Sequence, residues 1–300
     1  MNAKTTIILG LKVIILTSLL FVCYLIASMS VGLTDSAQTA DRMGAMVTLL
    51  IVCALQTIVL SYPIVRSRWI GWRLILAIFF VFYGVMTFLS QIETVVFLKY
   101  LVDIVPTEMI PKLFLQGTII AALFSPLAVL IHGRIKSAEE LQEANQRLVM
   151  PWTEWVWKLI LIAVIYVAIY FSFGMFVFRP LAGEAFQEYY AGLQLPGWIL
   201  LFQMVRAMIW TALALPVIRM MKGRWWEAGL AVALLFSVLM GSLLLLPNPY
   251  MPDTIRMAHF VEVSSSNFLF GWIVVWLLNR RHGSLREMFQ CSEGDHISVK

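Results

Sequence analysis

Charge is what this 300-residue chain has least of. Only 13% of its residues are charged, against about 25% in soluble domains. The formal net charge of +5 is spread along the chain with no dense basic tract, so nucleic-acid binding is not expected. Cysteine is scarce too. Cys23, Cys53 and Cys291 show no CxxC spacing, and two of them lie inside apolar runs. Neither a disulfide framework nor a zinc knuckle is indicated. No H-E-x-x-H, G-x-S-x-G, Walker A or G-x-G-x-x-G arrangement occurs, so no cofactor is implied.

What is abundant is apolar. The chain is 61% hydrophobic, carries 11 Trp and 19 Phe, and has a mean hydropathy of +0.85. A hydrocarbon core about 30 Å thick takes roughly 20 apolar helical residues, because lipid offers the backbone no hydrogen bonds. Eight stretches qualify: 6–31, 43–64, 71–92, 112–132, 156–177, 197–218, 227–247 and 257–279. The expected fold is an all-α polytopic membrane protein with the lipid bilayer as its surroundings. The third stretch stays mostly apolar from Trp72 to Leu101, so it reads either as one long tilted helix or as a span followed by a surface helix.

The loops alternate in charge. Arg66/Arg68, Arg134/Lys136/Arg147, Arg219/Lys222/Arg224 and Arg280/Arg281/Arg286 fall on one side. Arg42, Lys99, Arg179 and Arg256 fall on the other, beside Asp35, Asp41, Asp103, Glu108, Glu184, Glu188 and Asp253. The positive-inside bias makes the first side cytoplasmic, with both termini there, in the cell membrane. Trp69, Trp72, Trp152, Trp155, Trp157, Trp225 and Trp226 then form a belt at the cytoplasmic interface. Lys4 ahead of the first apolar run suggests a signal peptide. The run is long for one and is interrupted by Lys12, so a retained span is expected.

The chain also resembles itself. Lys12, Tyr24, Met29 and Val31 match Lys158, Tyr170, Met175 and Val177. Pro63, Arg66 and Trp72 match Pro216, Arg219 and Trp225. Pro106, Phe114, Leu123, Phe124 and Arg134 match Pro252, Phe260, Leu269, Phe270 and Arg280. The matches predict a tandem 4+4 parallel repeat: residues 1–136, a cytoplasmic linker 137–150, residues 151–282, and a tail 283–300. An even number of spans per copy keeps both copies in one orientation, so a pseudo-twofold axis would run along the membrane normal. In the linker, Ser137 and Glu140 have capping-box spacing, which predicts a short helix or else a solvated connection. The matched prolines and basic residues fit helix ends and side chains reaching the interface; Lys12 and Lys158 are expected to snorkel there.

Ionisable groups inside spans are costly and face a bundle interior or a watery cavity. Arg206 lies about 14 Å into the sixth stretch and Glu262 about 8 Å into the eighth, at 1.5 Å per residue. Helical spacing places Gln203, Arg206 and Trp210 on one stripe, and His259, Glu262 and Ser266 on another, with Asn267 pointing away. Ser90 and Glu93 share a face, and Glu93 joins the set only if span three packs beside spans six and eight. In the repeat, Arg206 corresponds to Cys53, Glu262 to Gln116 and His259 to Leu113, so the charged set belongs to the second half alone.

Two readings stand. Arg206 and Glu262 form an ion pair that holds two spans together, or Glu93, Arg206, His259, Glu262 and Ser266 line an outward-facing pocket. H-x-x-E supplies only two metal ligands, so no metal is expected. The segment Arg179–Tyr190 reads as a surface helix or a lid. Three function classes are compatible: a protein that transports or binds a small solute, an intramembrane enzyme using His259 and Glu262 for acid–base work, and a membrane scaffold or assembly factor.

Overall fold

The computed structural model describes residues 3–33, 42–101, 106–136, 148–191 and 195–279. Its described residues form helices joined by turns and irregular connections, with one isolated bridge between Ser67 and Met221. Eight helices are long and apolar enough to cross a membrane: Thr5–Ser30, Met43–Val65, Gly71–Val96, Met109–Ile131, Trp152–Ala182, Ile199–Met220, Trp225–Leu245 and Asp253–Asn279, here spans one to eight. This is a multi-pass membrane protein. Its apolar residues are not confined to the inside. Ile7, Leu11, Ile14, Ile58, Phe80 and Leu200 are exposed, as side chains facing lipid should be. Span seven is the most enclosed, and spans one and five are the least.

Each half has the same neighbours. Span one packs on spans two and four and span three on span four, while span five packs on spans six and eight and span seven on span eight. Between the halves, span two packs on span seven and span three on span six. Close approach requires glycine at two of these crossings. A Cβ on Gly271 would meet the Ala233 backbone at 2.9 Å, so spans seven and eight touch main chain to main chain. A Cβ on Gly117 would collide with the Thr87 side chain between spans four and three.

One end of the bundle carries the basic loops. Arg68 N donates to Met220 O at 2.6 Å and Lys222 N to Arg66 O at 2.8 Å, which joins the turns after spans two and six. Arg66 pairs with Glu227, and Arg134 donates to Ser67 O. Pro63 and Pro216 sit within the last turns of their helices, as helix-ending prolines should. Exposed Trp72, Trp152 and Trp226 stand at this end of spans three, five and seven.

Lys158 departs from expectation. It is fully buried and pairs with Glu154 one turn back at 2.5 Å, so it does not snorkel. The acid one turn earlier on the same helix face gives its charge a partner inside the protein. The linker 137–150 with its Ser137/Glu140 spacing lies mostly outside the described residues, as does the tail 283–300.

Span three is one continuous helix, not a span plus a surface helix. It runs from Gly71 to Tyr83, passes a π-helical turn over Gly84–Phe88, and continues over Leu89–Leu101. Span five has the same device, a π-helical turn over Gly174–Phe178 after Trp152–Phe173. Both turns lie toward the end away from the basic loops. Each extra residue rotates the remainder of its helix by roughly 100° relative to an unbroken α-helix.

Candidate functional site

The polar residues at the far end of the bundle gather between spans three, five, six and eight. Arg206 enters from span six and is 2% exposed. Its Nη2 meets Glu93 Oε2 of span three at 2.8 Å and the Leu89 carbonyl at 3.3 Å. Its Nη1 donates to Gln203 Oε1 at 3.0 Å, one turn back on the same stripe. Placing Glu93 and the Leu89 carbonyl toward span six depends on the π-helical turn just before them, because that turn resets the helix face.

Span five supplies the next layer. Tyr166 and Tyr170 lie within electrostatic reach of Glu93 and Arg206. Trp210 Nε1, two turns below Gln203, donates to the Tyr166 hydroxyl at 3.2 Å. The expected stripe of Gln203, Arg206 and Trp210 is therefore present, and all three side chains are buried.

The second stripe is built differently. His259 Nδ1 lies 3.3 Å from Glu262 Oε2, and His259 Nε2 lies 2.8 Å from the Tyr190 hydroxyl. A carboxylate only accepts, so Nδ1 is the ring nitrogen that donates to Glu262. Phe178, the last residue of the span-five π-helical turn, stacks on the imidazole at 3.9 Å with the planes 14° apart.

Tyr190 follows the short helix Glu184–Tyr189. Phe178, Ala182, Ile255 and Ala258 form a separate small core there, with Phe186, Tyr189, Tyr190 and Met251 packed on it. Tyr189 also donates to Tyr250 O at 2.8 Å. The segment Arg179–Tyr190 is thus docked by one hydrogen bond to span eight, one to the turn before it, and an aromatic cluster.

The structure sorts the expected residues. The anticipated Arg206–Glu262 ion pair is not formed among the described residues: the guanidinium is taken by Glu93, and Glu262 faces His259. The reason is packing, since span three lies against span six and brings a carboxylate closer than span eight does. Ser266 shares the buried side of span eight, but its hydroxyl returns to Val263 O at 3.3 Å and makes no polar contact with the cluster. Asn267 points elsewhere, toward Met240 Sδ at 3.5 Å.

Sequence reasoning missed Tyr166, Tyr170 and Phe178, and placed Tyr190 in a segment read as a surface helix or a lid. An apolar-looking span hides a tyrosine whose ring is at home in lipid and whose hydroxyl needs a partner. That need is the signal that could have found them.

Two buried donors in this cluster, Gln203 Nε2 and Arg206 Nε, have no hydrogen-bond partner among the described residues. Chemically, the site offers a compensated guanidinium, two carboxylates, an imidazole held by both nitrogens, and three tyrosine hydroxyls. It is equipped to hold a polar group inside the membrane or to pass a proton. Compared with known protein families, curated proteins and solved structures, the chain matches none.

Proposed function

We propose that this membrane protein binds or transports a small solute, admitted from the outer side to a polar site between spans three, five, six and eight. The observation that carries the reading is Arg206. A guanidinium 2% exposed inside a membrane bundle is expensive, and one carboxylate would suffice to hold it structurally. Here Glu93 is joined by Gln203, Tyr166, Tyr170, Glu262 and His259, more polar groups than pairing requires. Glu93 keeps 30% of its side chain exposed, which gives the pair an open side.

The basic loops make the end with Arg66, Arg134 and Lys222 cytoplasmic under the positive-inside bias, with both termini there and the chain in the cell membrane. The site then opens outward, and the docked segment Arg179–Tyr190 is its lid. The 4+4 repeat, copies 1–136 and 151–282, is supported by the matching neighbours within each half. It is supported also by the two inter-half contacts, which exchange under a twofold axis along the membrane normal. The π-helical turns fall in spans three and five, which are not equivalent in such a repeat, so the site would belong to one side of the axis.

One specific observation favours a second reading. Tyr190, His259 and Glu262 form a hydroxyl–imidazole–carboxylate chain, an arrangement suited to acid–base catalysis within the membrane. Purified protein in liposomes, loaded with a metabolite extract and followed by mass spectrometry on both sides of the membrane, separates the two. Movement of a compound without chemical change, lost in Glu93→Gln, supports transport. Appearance of a product, lost in His259→Asn, supports the enzyme. Loss of neither in either variant leaves the polar residues dispensable and points to a scaffold.

A further inference from the structure

The site's charges and its unpartnered donors together describe a ligand. Arg206 contributes one positive charge, and Glu93 already answers it. Glu262 adds a second carboxylate, whose close partner is the His259 imidazole, 3.3 Å away at Nδ1. The set therefore holds two carboxylates and one guanidinium. Tyr190 closes the cluster on the side of Glu262, its hydroxyl 2.8 Å from His259 Nε2. A positive group entering beside Glu262, with the rings of Tyr190 and Phe178 nearby, gains from charge and from aromatic faces alike. A simple anion meets two carboxylates instead.

The other end of the ligand is set by hydrogen bonding. Gln203 spends its carbonyl on Arg206 Nη1, which leaves its amide nitrogen as a donor with no acceptor, on a side chain that is fully buried. Arg206 Nε is in the same condition. An unmet buried donor has given up its water and gained no acceptor, so two in one turn are a standing demand for acceptor oxygen. Their neighbourhood on span six faces Glu93, whose carboxylate lies 2.8 Å from Arg206 Nη2.

We infer that the pocket takes a two-ended polar group, an ammonium beside Glu262 and an acceptor oxygen beside Gln203 and Arg206. A free amino acid or small peptide carries that chemistry, and so does the headgroup of an aminophospholipid. The inference rests on the pocket proposed as the functional site and narrows its substrate class.

The full chain, purified in detergent, is tested by thermal shift against glycine, L-phenylalanine and glycylglycine, which carry both ends, and against ethylamine and acetate, which carry one each. Nanodiscs of phosphatidylethanolamine are compared with nanodiscs of phosphatidylglycerol, which lacks the ammonium. At least one two-ended probe should raise the melting temperature where ethylamine and acetate at equal concentration do not. A soluble zwitterion doing so identifies a free solute, and phosphatidylethanolamine alone doing so identifies a headgroup.

Glu262→Gln should weaken the apparent affinity roughly tenfold or more by removing the ammonium's counter-charge. Gln203→Glu keeps an acceptor for Arg206 but replaces the free amide with a carboxylate, and should weaken it comparably. Fluorescence-detected size exclusion verifies that both variants fold. Acetate acting as well as the zwitterions overturns the inference, as does the absence of any two-ended ligand, or an effect that survives both variants. Labelling of Thr94→Cys by an impermeant thiol reagent, applied to intact cells, keeps the two failures apart. Thr94 neighbours Glu93 and is half-buried. If it labels and no two-ended probe binds, the ligand class falls and the pocket stands; if it does not label, the pocket reading itself falls.

Discussion

The pair Arg206–Glu93 should break asymmetrically. At 2.8 Å the two charges attract with about 6 kcal/mol at an effective dielectric of about 20. Most of that is offset by taking the guanidinium out of water, and the 30% exposure of Glu93 screens the rest, so the net coupling should be about 2 kcal/mol. Glu93→Leu leaves a guanidinium with 3% side-chain exposure and no charge partner, at a cost of about 3 kcal/mol. Arg206→Leu leaves a carboxylate that already reaches the surface, which should cost less. It also frees the Gln203 carbonyl to turn toward its own unpartnered surroundings. The double mutant should recover about 2 kcal/mol of the summed losses. Unfolding in mixed micelles by added sodium dodecyl sulfate, followed by tryptophan fluorescence, measures all four corners of the cycle. A second cycle with Glu262 should show weaker coupling, since no ion pair joins it to Arg206. Coupling to Glu93 below about 0.5 kcal/mol, or stronger coupling to Glu262, would refute the pairing on which the site is built.

Three further outcomes are expected. Gly271→Ala should destabilise by about 1–3 kcal/mol or more in the same assay, because its Cβ meets Ala233 backbone at 2.9 and 3.0 Å, which cannot turn aside; an unchanged midpoint would show that spans seven and eight do not approach so closely. His132, bonded to Ser61 at 3.0 Å, has its pKa pushed down to about 4 by burial and by the charge of Lys12. The unfolded chain takes up this proton first, so the stability His132 contributes is complete above about pH 6.5 and declines as pH falls toward 4; in His132→Asn that part of the melting-temperature profile should be flat. Single cysteines replacing Ser36 and Asp253 should react with an impermeant reagent outside the cell while one replacing Ser137 does not, and the opposite pattern would invert the topology.

The spans were legible because their cause is local. A run of about 20 apolar residues has to be helical in lipid, and the run itself carries that information. Trp72, Trp152 and Trp226 and the basic turns were readable for the same reason, since each reports its own preference for an interface. Span ends moved by a few residues where polar helix continues past the apolar run. Span eight begins at Asp253 rather than near 257 because Asp253, Ile255 and Arg256 remain helical, with Arg256 tied to Asp253 at 2.6 Å and to Leu244 O at 2.7 Å.

The polar cluster was legible by residue but not by partner. Arg206, Glu93, His259 and Glu262 announce themselves as charges or potential charges where lipid tolerates few, and i,i+3 spacing correctly joins Arg206 to Gln203 and His259 to Glu262. Choosing between Glu93 and Glu262 as the partner of Arg206 required knowing which helices adjoin, which spacing within one helix does not contain. It also required the rotation introduced at Gly84–Phe88. A period of 3.6 carried straight through that turn mislocates every later side chain on span three by roughly a quarter of a circle, Glu93 among them. The same holds on span five, where Gly174–Phe178 sets Phe178 against His259. The turn in span three stands just before Glu93, and the turn in span five ends on Phe178. Regular helix would have sufficed to span a membrane, and the departures from it fall where spans three and five meet the buried charges.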